Sequence, residues 1–223
     1  MPTSLGVGPL VSMIARRRHD RTASPTGGCF MAKNVRQRMI VGACDLLSRR
    51  GLQSTSFAEV TQATRTPRGS IYHHFPGGKQ ELVLAALDAS AESFVEWIGS
   101  ICRVNPEQFV RSVLDGYRAY VLDGEFEVGC SATAVTVAAE NTEQLDRCAV
   151  VFATFVDALS DGLRECGVEP EAARSFATLA FCSLNGATTV ARAARTAASL
   201  DTVEHHLIDQ ARTLPRVHVA ATA

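Results

Sequence analysis

No stretch of this 223-residue sequence stays apolar for the about 18 residues that a membrane-spanning helix needs. No alternation of polar and apolar residues marks a β-strand, and no segment is repeated. The nucleophile elbow G-x-S-x-G, the phosphate-binding P-loop, the dinucleotide pattern G-x-G-x-x-G and the zinc-protease pattern H-E-x-x-H are also missing. These absences argue against an integral membrane protein, a β-protein and the enzyme classes that carry such patterns.

Cysteines are present, but none forms a C-x-x-C pair, and no cluster of Cys and His has the spacing of a metal site. Their number is odd, and most lie in apolar helical sequence, so we expect reduced core thiols in a cytoplasmic protein with no metal or other cofactor. A thiol-based redox sensor is the alternative. The seven cysteines lie at positions 29, 44, 102, 130, 148, 166 and 182.

Helical periodicity runs almost without interruption from Lys33 onward. It predicts an all-α protein of about nine helices, in which Gly, Pro and Asn mark most of the breaks. The expected helices span about 35–49, 57–63, a short stretch from 67, 79–102, 106–122, 131–140, 143–166, 170–195 and 201–213.

The segment from Ser56 to Lys79 predicts two short helices joined by a tight turn and followed by the start of a third. Ser56 can cap the first of them, because its hydroxyl can accept a backbone N–H that has no partner inside the helix. Phe57 and Val60 then fall on one helical face. Thr66 can cap the second helix, with Pro67 at its first position, where the missing N–H costs nothing.

The second short helix has one apolar side and one polar side. Ile71 and Phe75 lie four residues apart and can seat it on its neighbours. A helix held in this way, with short or flat hydrogen-bonding groups beside a cation on its outer face, suits insertion into a groove of DNA. The outer face carries Arg68, Ser70, Tyr72 and His73.

These residues resemble the DNA-binding domain of the TetR family of bacterial transcriptional repressors. The similarity covers about residues 33–82: Thr55-Ser56 before one helix, the run S-I-Y-H-H-F from Ser70, and Lys79 followed by an acid and a leucine. The chain is similar to the LmrA/YxaF-like subgroup in the sequence P-R-G-S-I-Y-H-H-F-P-G-G-K, together with Gly129-Cys130 and Glu140 downstream. The chain departs from the family at the turn, where Arg65-Thr66 replaces Gly-Val, and a left-handed Arg65 would cost roughly 1 kcal/mol against glycine.

Charge is distributed unevenly along the chain. Residues 33–79 carry eight Lys or Arg against two acids, a net charge of +6, and residues 1–32 carry +3. Residues 80–223 carry −10, so the overall charge of −1 hides a basic part and an acidic part. A basic part suggests a polyanion partner, although a solvated charged surface has the same composition.

These patterns divide the chain into four parts. Residues 1–32 read as a disordered basic extension, 33–79 as the helix-turn-helix domain, 80–213 as a ligand-binding and dimerisation domain, and 214–223 as a disordered tail. The extension contains Arg16-Arg17-Arg18, and an over-long gene start before Met31, a phosphate-gripping arm and a leader-like segment all fit it.

The resemblance implies a dimeric repressor that leaves a palindromic operator in double-stranded DNA when it binds a small hydrophobic effector. On this hypothesis one group of residues contacts base edges and another contacts phosphates. Gly69 allows the second short helix to approach the DNA closely, and Thr66 caps this helix. The base group is Arg68, Ser70 and His73, and the phosphate group is Thr55, Ser56, Tyr72 and Lys79.

The resemblance also implies an effector pocket and a dimer interface in the C-terminal part. Aromatic and polar residues of the helices there are candidates for the pocket, although a stripe of aromatics equally suits a core. The pocket candidates are Trp97, Tyr117, Tyr120, Cys130, Phe152, Phe155 and Asn185. For the interface, the mixture of large and small residues on the last two helices predicts Ala177, Phe181, Leu184 and Leu207.

Two other classes of protein are weighed against this reading. An enzyme could use Cys130 or His73 as nucleophile or base, but no catalytic pattern surrounds either residue. A helical interaction module that binds no DNA is the second alternative. Salt-dependent binding to DNA separates both from the regulator that we expect.

Overall fold

A computed structural model describes residues 27–217, with side chains from residue 35 onward, and the described part of the chain folds into nine α-helices. This confirms the all-α prediction; the only β-type pairing within 27–217 is an isolated bridge between Val168 and Arg216. None of the described helices is long and apolar enough to cross a membrane. The helices are α1 (Gly27–Arg50), α2 (Phe57–Thr64), α3 (Ser70–His74), α4 (Gly78–Gly99), α5 (Pro106–Asp123), α6 (Ser131–Val137), α7 (Thr142–Glu165), α8 (Pro170–Ala194) and α9 (Ala198–Arg212).

Most helix ends lie within three residues of the predicted ones, because the sequence places strong signals there. Asn105 caps α5 as expected, since its side-chain oxygen accepts the Gln108 N–H at 2.8 Å, with Pro106 next to it. The start of α1 was predicted wrongly: it begins at Gly27 and not near Val35. No proline interrupts residues 27–34, and Met31, Ala32 and Lys33 favour helix.

The described chain forms two compact units. The first contains the residues up to Phe94 together with Glu127–Phe152, and the second contains Val95–Phe126 together with the residues from Ala153. The predicted functional boundary after residue 79 is a different kind of division and stays a prediction. Residues 1–26 and 218–223, which include most of the predicted extension and tail, lie outside the described part.

The core of the first unit surrounds the short helices. Met39 and Leu47 of α1, Val60 of α2 and Phe75 at the end of α3 are fully buried. Helix α1 packs against α2, α3 and α6. Gly42 lets α1 approach α2 closely, since a Cβ at this position would lie 2.3 Å from Cγ2 of Thr64.

The core of the second unit is built from α5, α7, α8 and α9. Helix α9 packs against α5 and α8. Polar contacts fix these helices relative to each other: the Tyr117 and Thr188 hydroxyls are 2.9 Å apart, and the Ser199 hydroxyl donates to the Ala187 carbonyl at 2.8 Å. Large apolar groups fill the space between the helices, among them Phe109, Leu163, Phe176 and Leu200.

Candidate nucleic-acid interface

Helix α2 begins with the cap that the sequence predicts. Ser56 Oγ accepts the Glu59 N–H at 3.3 Å, and the Glu59 carboxylate accepts the Ser56 N–H at 3.2 Å. This reciprocal pair is a capping box, which satisfies two backbone donors and fixes the direction in which the chain enters the helix. It also occupies the Ser56 hydroxyl, which contacts the Glu59 carboxylate at 3.2 Å.

The turn after α2 places Arg65 in the left-handed conformation that the sequence associates with this position. Arg65 has φ 52° and ψ 45°, a conformation that costs a residue with a Cβ about 1 kcal/mol or more. The guanidinium of Arg38 on α1 supports the turn by donating to the carbonyl oxygens of Thr64 and, at 3.5 Å, of Arg65. A contact across 26 residues of chain leaves no local signal in the sequence.

Thr66 does not cap α3, contrary to the prediction. Its hydroxyl lies 2.8 Å from the Thr64 hydroxyl, and its side chain is buried beneath the turn. The helix begins at Ser70, after a turn closed by the bond from the Ser70 N–H to the Pro67 carbonyl. Pro67 therefore begins a turn and not a helix.

Helix α3 has the buried and exposed sides that its sequence predicts. Ile71 and Phe75 are buried, and the Arg36 guanidinium lies 4.9 Å above the centre of the Phe75 ring. Tyr72 is 68% exposed, and its ring packs edge-on against Phe57 with centroids 5.3 Å apart. Packing on one side thus holds the polar side in a fixed orientation toward solvent.

The other residues predicted to bind DNA divide by exposure. Arg68, Gly69 and His73 are exposed, whereas Ser56, Ser70 and Lys79 are half-buried. Thr55 is only 1% exposed and donates its hydroxyl to the Gly51 carbonyl at 2.9 Å. The Thr55 side chain is therefore part of the packing of the motif and does not offer a phosphate contact.

Three of the cations near α3 are not paired with a carboxylate in the described part of the chain. Within residues 35–217 no carboxylate pairs with Arg65, Arg68 or Lys79. Arg65 was not among the predicted DNA-binding residues. In the sequence it stands out only because it replaces a glycine of the family at the turn. Lys79 lies in the first turn of α4, two residues after Gly77, whose N–H donates to the Glu81 carboxylate at 2.8 Å.

The residues predicted to bind an effector are divided between the two units. Cys130 and Phe152 belong to the first unit, and burial raises the pKa of the Cys130 thiol. Trp97, Tyr117, Tyr120, Phe155 and Asn185 belong to the second. An apolar cavity of about 20 Å³ lies in the second unit between Phe109, Phe176 and their neighbours, and none of the seven predicted residues lines it. At this volume it has room for about one water molecule.

Three of the four residues predicted for a dimer interface face the interior. Ala177, Leu184 and Leu207 are buried and line that apolar cavity, and Phe181 packs its ring against Phe155 at 5.6 Å. A side chain that its own chain already covers cannot supply the surface of a dimer contact. The exposed side of α8 instead carries Leu179, Cys182, Gly186 and Val190.

The sequence matches two family models. Residues 39–86 match the model of bacterial regulatory proteins of the tetR family, and residues 106–206 match the C-terminal domain of LmrA/YxaF-like transcriptional regulators. An uncharacterized HTH-type transcriptional regulator of Mycobacterium tuberculosis H37Rv is 32% identical over 179 residues, which cover 77% of this chain and 91% of that protein. The HTH-type transcriptional regulator LmrA of Bacillus subtilis is 19% identical over 160 residues, covering 68% of this chain and 82% of LmrA.

Solved structures share the fold at low sequence identity. A TetR transcriptional regulator from Legionella pneumophila superposes with a TM-score of 0.69 and 19% identity, covering 85% of this chain and 98% of that one. A regulatory protein TetR from Rhodobacter sphaeroides gives a TM-score of 0.68 and 20% identity, covering 78% and 97%. These similarities extend over nearly the whole of each solved chain and establish the fold.

Proposed function

We propose that this chain, which belongs to the TetR family of bacterial transcriptional regulators, acts in the cytoplasm as a dimeric repressor that a small hydrophobic effector releases from a palindromic operator. Membership of the family makes it a DNA-binding regulator and not an enzyme. The observation that carries the rest is the exposed surface formed by Arg68, in the turn before α3, and by Tyr72 and His73 of α3, above the buried Ile71 and Phe75.

Base reading is assigned to Arg68 and His73. An arginine can donate two hydrogen bonds to the N7 and O6 acceptors of guanine in the major groove. Gly69, beside Arg68, is exposed and lets the backbone approach the duplex, because it has no side chain that would project between the backbone and the DNA. Ser70 is a weaker candidate, because its hydroxyl already donates to the Pro67 carbonyl at 2.7 Å.

Phosphate binding is assigned to Tyr72 of α3 and to residues on either side of this helix. Lys79 supplies a positive charge for phosphate oxygens. The backbone N–H groups at the starts of α2 and α4 supply hydrogen-bond donors at the positive ends of the helix dipoles. Tyr72 can donate its phenolic hydroxyl, and Arg65 adds a cation at the turn. These contacts set the orientation of α3 but carry no sequence information.

Dimerisation is assigned to the exposed side of α8 with the adjoining α9. Leu179 and Val190 are 46% and 56% exposed, and Cys182 and Gly186 lie between them at helical spacing. Small residues among apolar ones allow two helices to pack closely across a two-fold axis. Such a dimer presents one copy of α3 to each half of a palindrome.

Effector binding is assigned to the aromatic residues of the second unit, with Trp97, Tyr117 and Tyr120 as the first to test. An effector releases the protein from the operator only if it binds the conformation of the dimer that cannot bind the operator more tightly than the conformation that can. Each tenfold loss of DNA affinity requires about 1.4 kcal/mol of differential binding.

A selection experiment tests the proposal. Duplexes bound by the wild-type protein are recovered from a random pool, and binding of Arg68→Ala and Lys79→Ala to the selected duplex is compared over a range of salt. Arg68→Ala should relax sequence preference at one base pair of each half-site by about 1–3 kcal/mol. Lys79→Ala should weaken all duplexes equally and lower the salt slope by about one.

Arg164→Ala serves as the matched control, since it removes an exposed arginine that pairs with Asp161 in the second unit. It should bind the selected duplex as the wild type does. A wild-type protein that recovers no sequence, or an Arg68→Ala variant with unaltered preference, contradicts the proposal.

A further inference from the structure

Residues 140–144, which form the end of the connection from α6 and the first turn of α7, are tied together by their own hydrogen bonds. The Gln144 side chain is buried and accepts the Glu140 N–H at 2.8 Å. Asn141 in turn accepts the Gln144 N–H at 3.0 Å. This reciprocal arrangement resembles a capping box and fixes the backbone from which the side chains of Glu140, Asn141 and Glu143 project.

Gln53 ties the start of α2 to this segment. It lies in the turn between α1 and α2, shortly before the cap Ser56, and its amide donates to the Glu140 carboxylate at 3.3 Å. The two residues are 87 positions apart in the chain but belong to the same compact unit.

Gln80 ties the start of α4 to the same segment. It follows Lys79 in the first turn of α4, donates its amide N–H to the Glu143 carboxylate, and accepts the Asn141 amide N–H at 3.0 Å. Further along α4, Asp88 pairs with Arg147 at 2.9 Å and the Ser90 hydroxyl lies 3.2 Å from that of Ser131. The N-terminal half of α4 is thus attached to residues 131–147.

We propose that Gln53 and Gln80 are positioning residues for DNA binding, each using residues 140–144 as an anchor. This inference rests on the proposed function. The two helix starts assigned to phosphate binding, at Ser56 and Lys79, stand within one turn of these glutamines. One rigid anchor for both starts fixes their separation, and a rigid separation lets both meet phosphates at once without an ordering cost.

The neutral amides are essential to this role. Glu140 and Glu143 are acceptors only, so each needs a donor opposite it. A glutamate at 53 or 80 would lose the donor and place two carboxylates together, while keeping the size of the side chain. Exchanging the two partners restores a donor and an acceptor at each contact.

The test compares Gln80→Glu with the exchanged pair Gln80→Glu/Glu143→Gln, and Gln53→Glu with Gln53→Glu/Glu140→Gln. Affinity for the duplex selected by the wild-type full-length protein is measured by fluorescence anisotropy over a range of salt. Each single variant should bind about three- to tenfold more weakly. Each exchanged pair carries the wild-type net charge and should return to within about twofold of the wild type.

Gln108→Glu on α5 is the control for added negative charge and should bind like the wild type. Melting temperatures of all variants should agree with the wild-type value, which separates positioning from loss of folding. The inference fails if single variants bind normally, or if the exchanged pairs bind as weakly as the singles. A wild-type protein without salt-dependent DNA binding defeats the proposed function itself, and this inference with it.

Discussion

Arg65 occupies a backbone conformation that glycine tolerates better. Its φ of 52° places the Cβ close to the following carbonyl, and the Arg38 guanidinium holds the two adjacent carbonyls. Arg65→Gly should therefore raise the free energy of unfolding by roughly 0.5–1 kcal/mol, measured by urea denaturation. It should also weaken DNA binding if Arg65 contacts a phosphate.

Arg68→Gly is the control for that substitution, because Arg68 has no positive φ. It should be neutral or destabilising. A loss of stability in Arg65→Gly would show that the Arg65 side chain contributes more than its backbone strain costs.

Glu204 is a carboxylate placed where its charge is poorly solvated. One oxygen bonds Arg118 at 3.0 Å, while the other, Oε1, is buried without a partner among the described residues. Burial raises the pKa of Glu204 above its ordinary value, against the opposing effect of Arg118. The folded state thus holds this proton more tightly than the unfolded state, so stability is lost as pH rises through the raised pKa.

Glu204→Gln should therefore raise the melting temperature at about pH 7.5 by about 1–3 °C. The gain should disappear near pH 4, where Glu204 is largely protonated in both states. Thermal unfolding followed by circular dichroism at the two pH values checks this. A gain of equal size at both pH values would rule out the charge as its cause.

Helix α1 approaches α2 closely at Gly42, which has no side chain. A Cβ at Gly42 would meet Thr64 Cγ2 at 2.3 Å, and Thr64 also bonds the Val60 carbonyl and the Thr66 hydroxyl. Gly42→Ala should destabilise the protein by about 1–2 kcal/mol, since overpacking exceeds the gain in helix propensity.

Thr64→Ser removes the methyl group and keeps the hydroxyl, so it serves as the rescue variant. Gly42→Ala/Thr64→Ser should unfold at nearly the same urea concentration as Thr64→Ser alone. If the double variant is as unstable as Gly42→Ala, the close contact with Thr64 is not the cause.

The sequence predicts elements well where its signals are local. The capping box at Ser56 and the Asn105-Pro106 start of α5 follow from residues close together in the chain. Thr66-Pro67 carries a similar signal but forms a turn, because the Thr66 hydroxyl bonds Thr64 and α3 starts at Ser70. A capping pattern in the sequence shows which side chain could accept a hydrogen bond from a helix N–H. The contacts that this side chain makes in the folded protein decide whether it does so.

At the scale of the whole molecule, periodicity identifies a buried stripe but not what covers it. Ala177, Leu184 and Leu207 form an apolar pattern that fits a partner subunit or the chain's own core, and the structure places them in the core. The predicted effector residues have the same ambiguity, since aromatic side chains such as Phe155 fill cores as readily as pockets. The exposed side of α3 was better predicted, because polar groups on the outer face of a short helix have few structural roles.

Thiol reactivity gives a test of the proposed dimer surface. Cys102 and Cys182 are exposed in the single chain, whereas burial, with Asp45 nearby, raises the pKa of Cys44 to about 12. With iodoacetamide at about pH 8, peptide mapping should find Cys102 labelled quickly and Cys44 protected until the protein is unfolded. Cys182 should react more slowly than Cys102, because the partner subunit of the proposed dimer would cover it.

Leu179→Glu should separate the subunits and bring the labelling rate of Cys182 up to that of Cys102. Sedimentation at the same concentration should then report a monomer. Equal rates for the two thiols in the wild-type protein would contradict a dimer formed through this side of α8.

The central claim is that α3 and its flanking turns enter a duplex, and hydrogen–deuterium exchange with and without the selected DNA tests it most directly. Peptides covering residues 65–79 should gain protection when the duplex is added, while peptides from α5 in the second unit should exchange as before. Unchanged exchange over 65–79 in a complex that forms would contradict the account, as would protection confined to another surface.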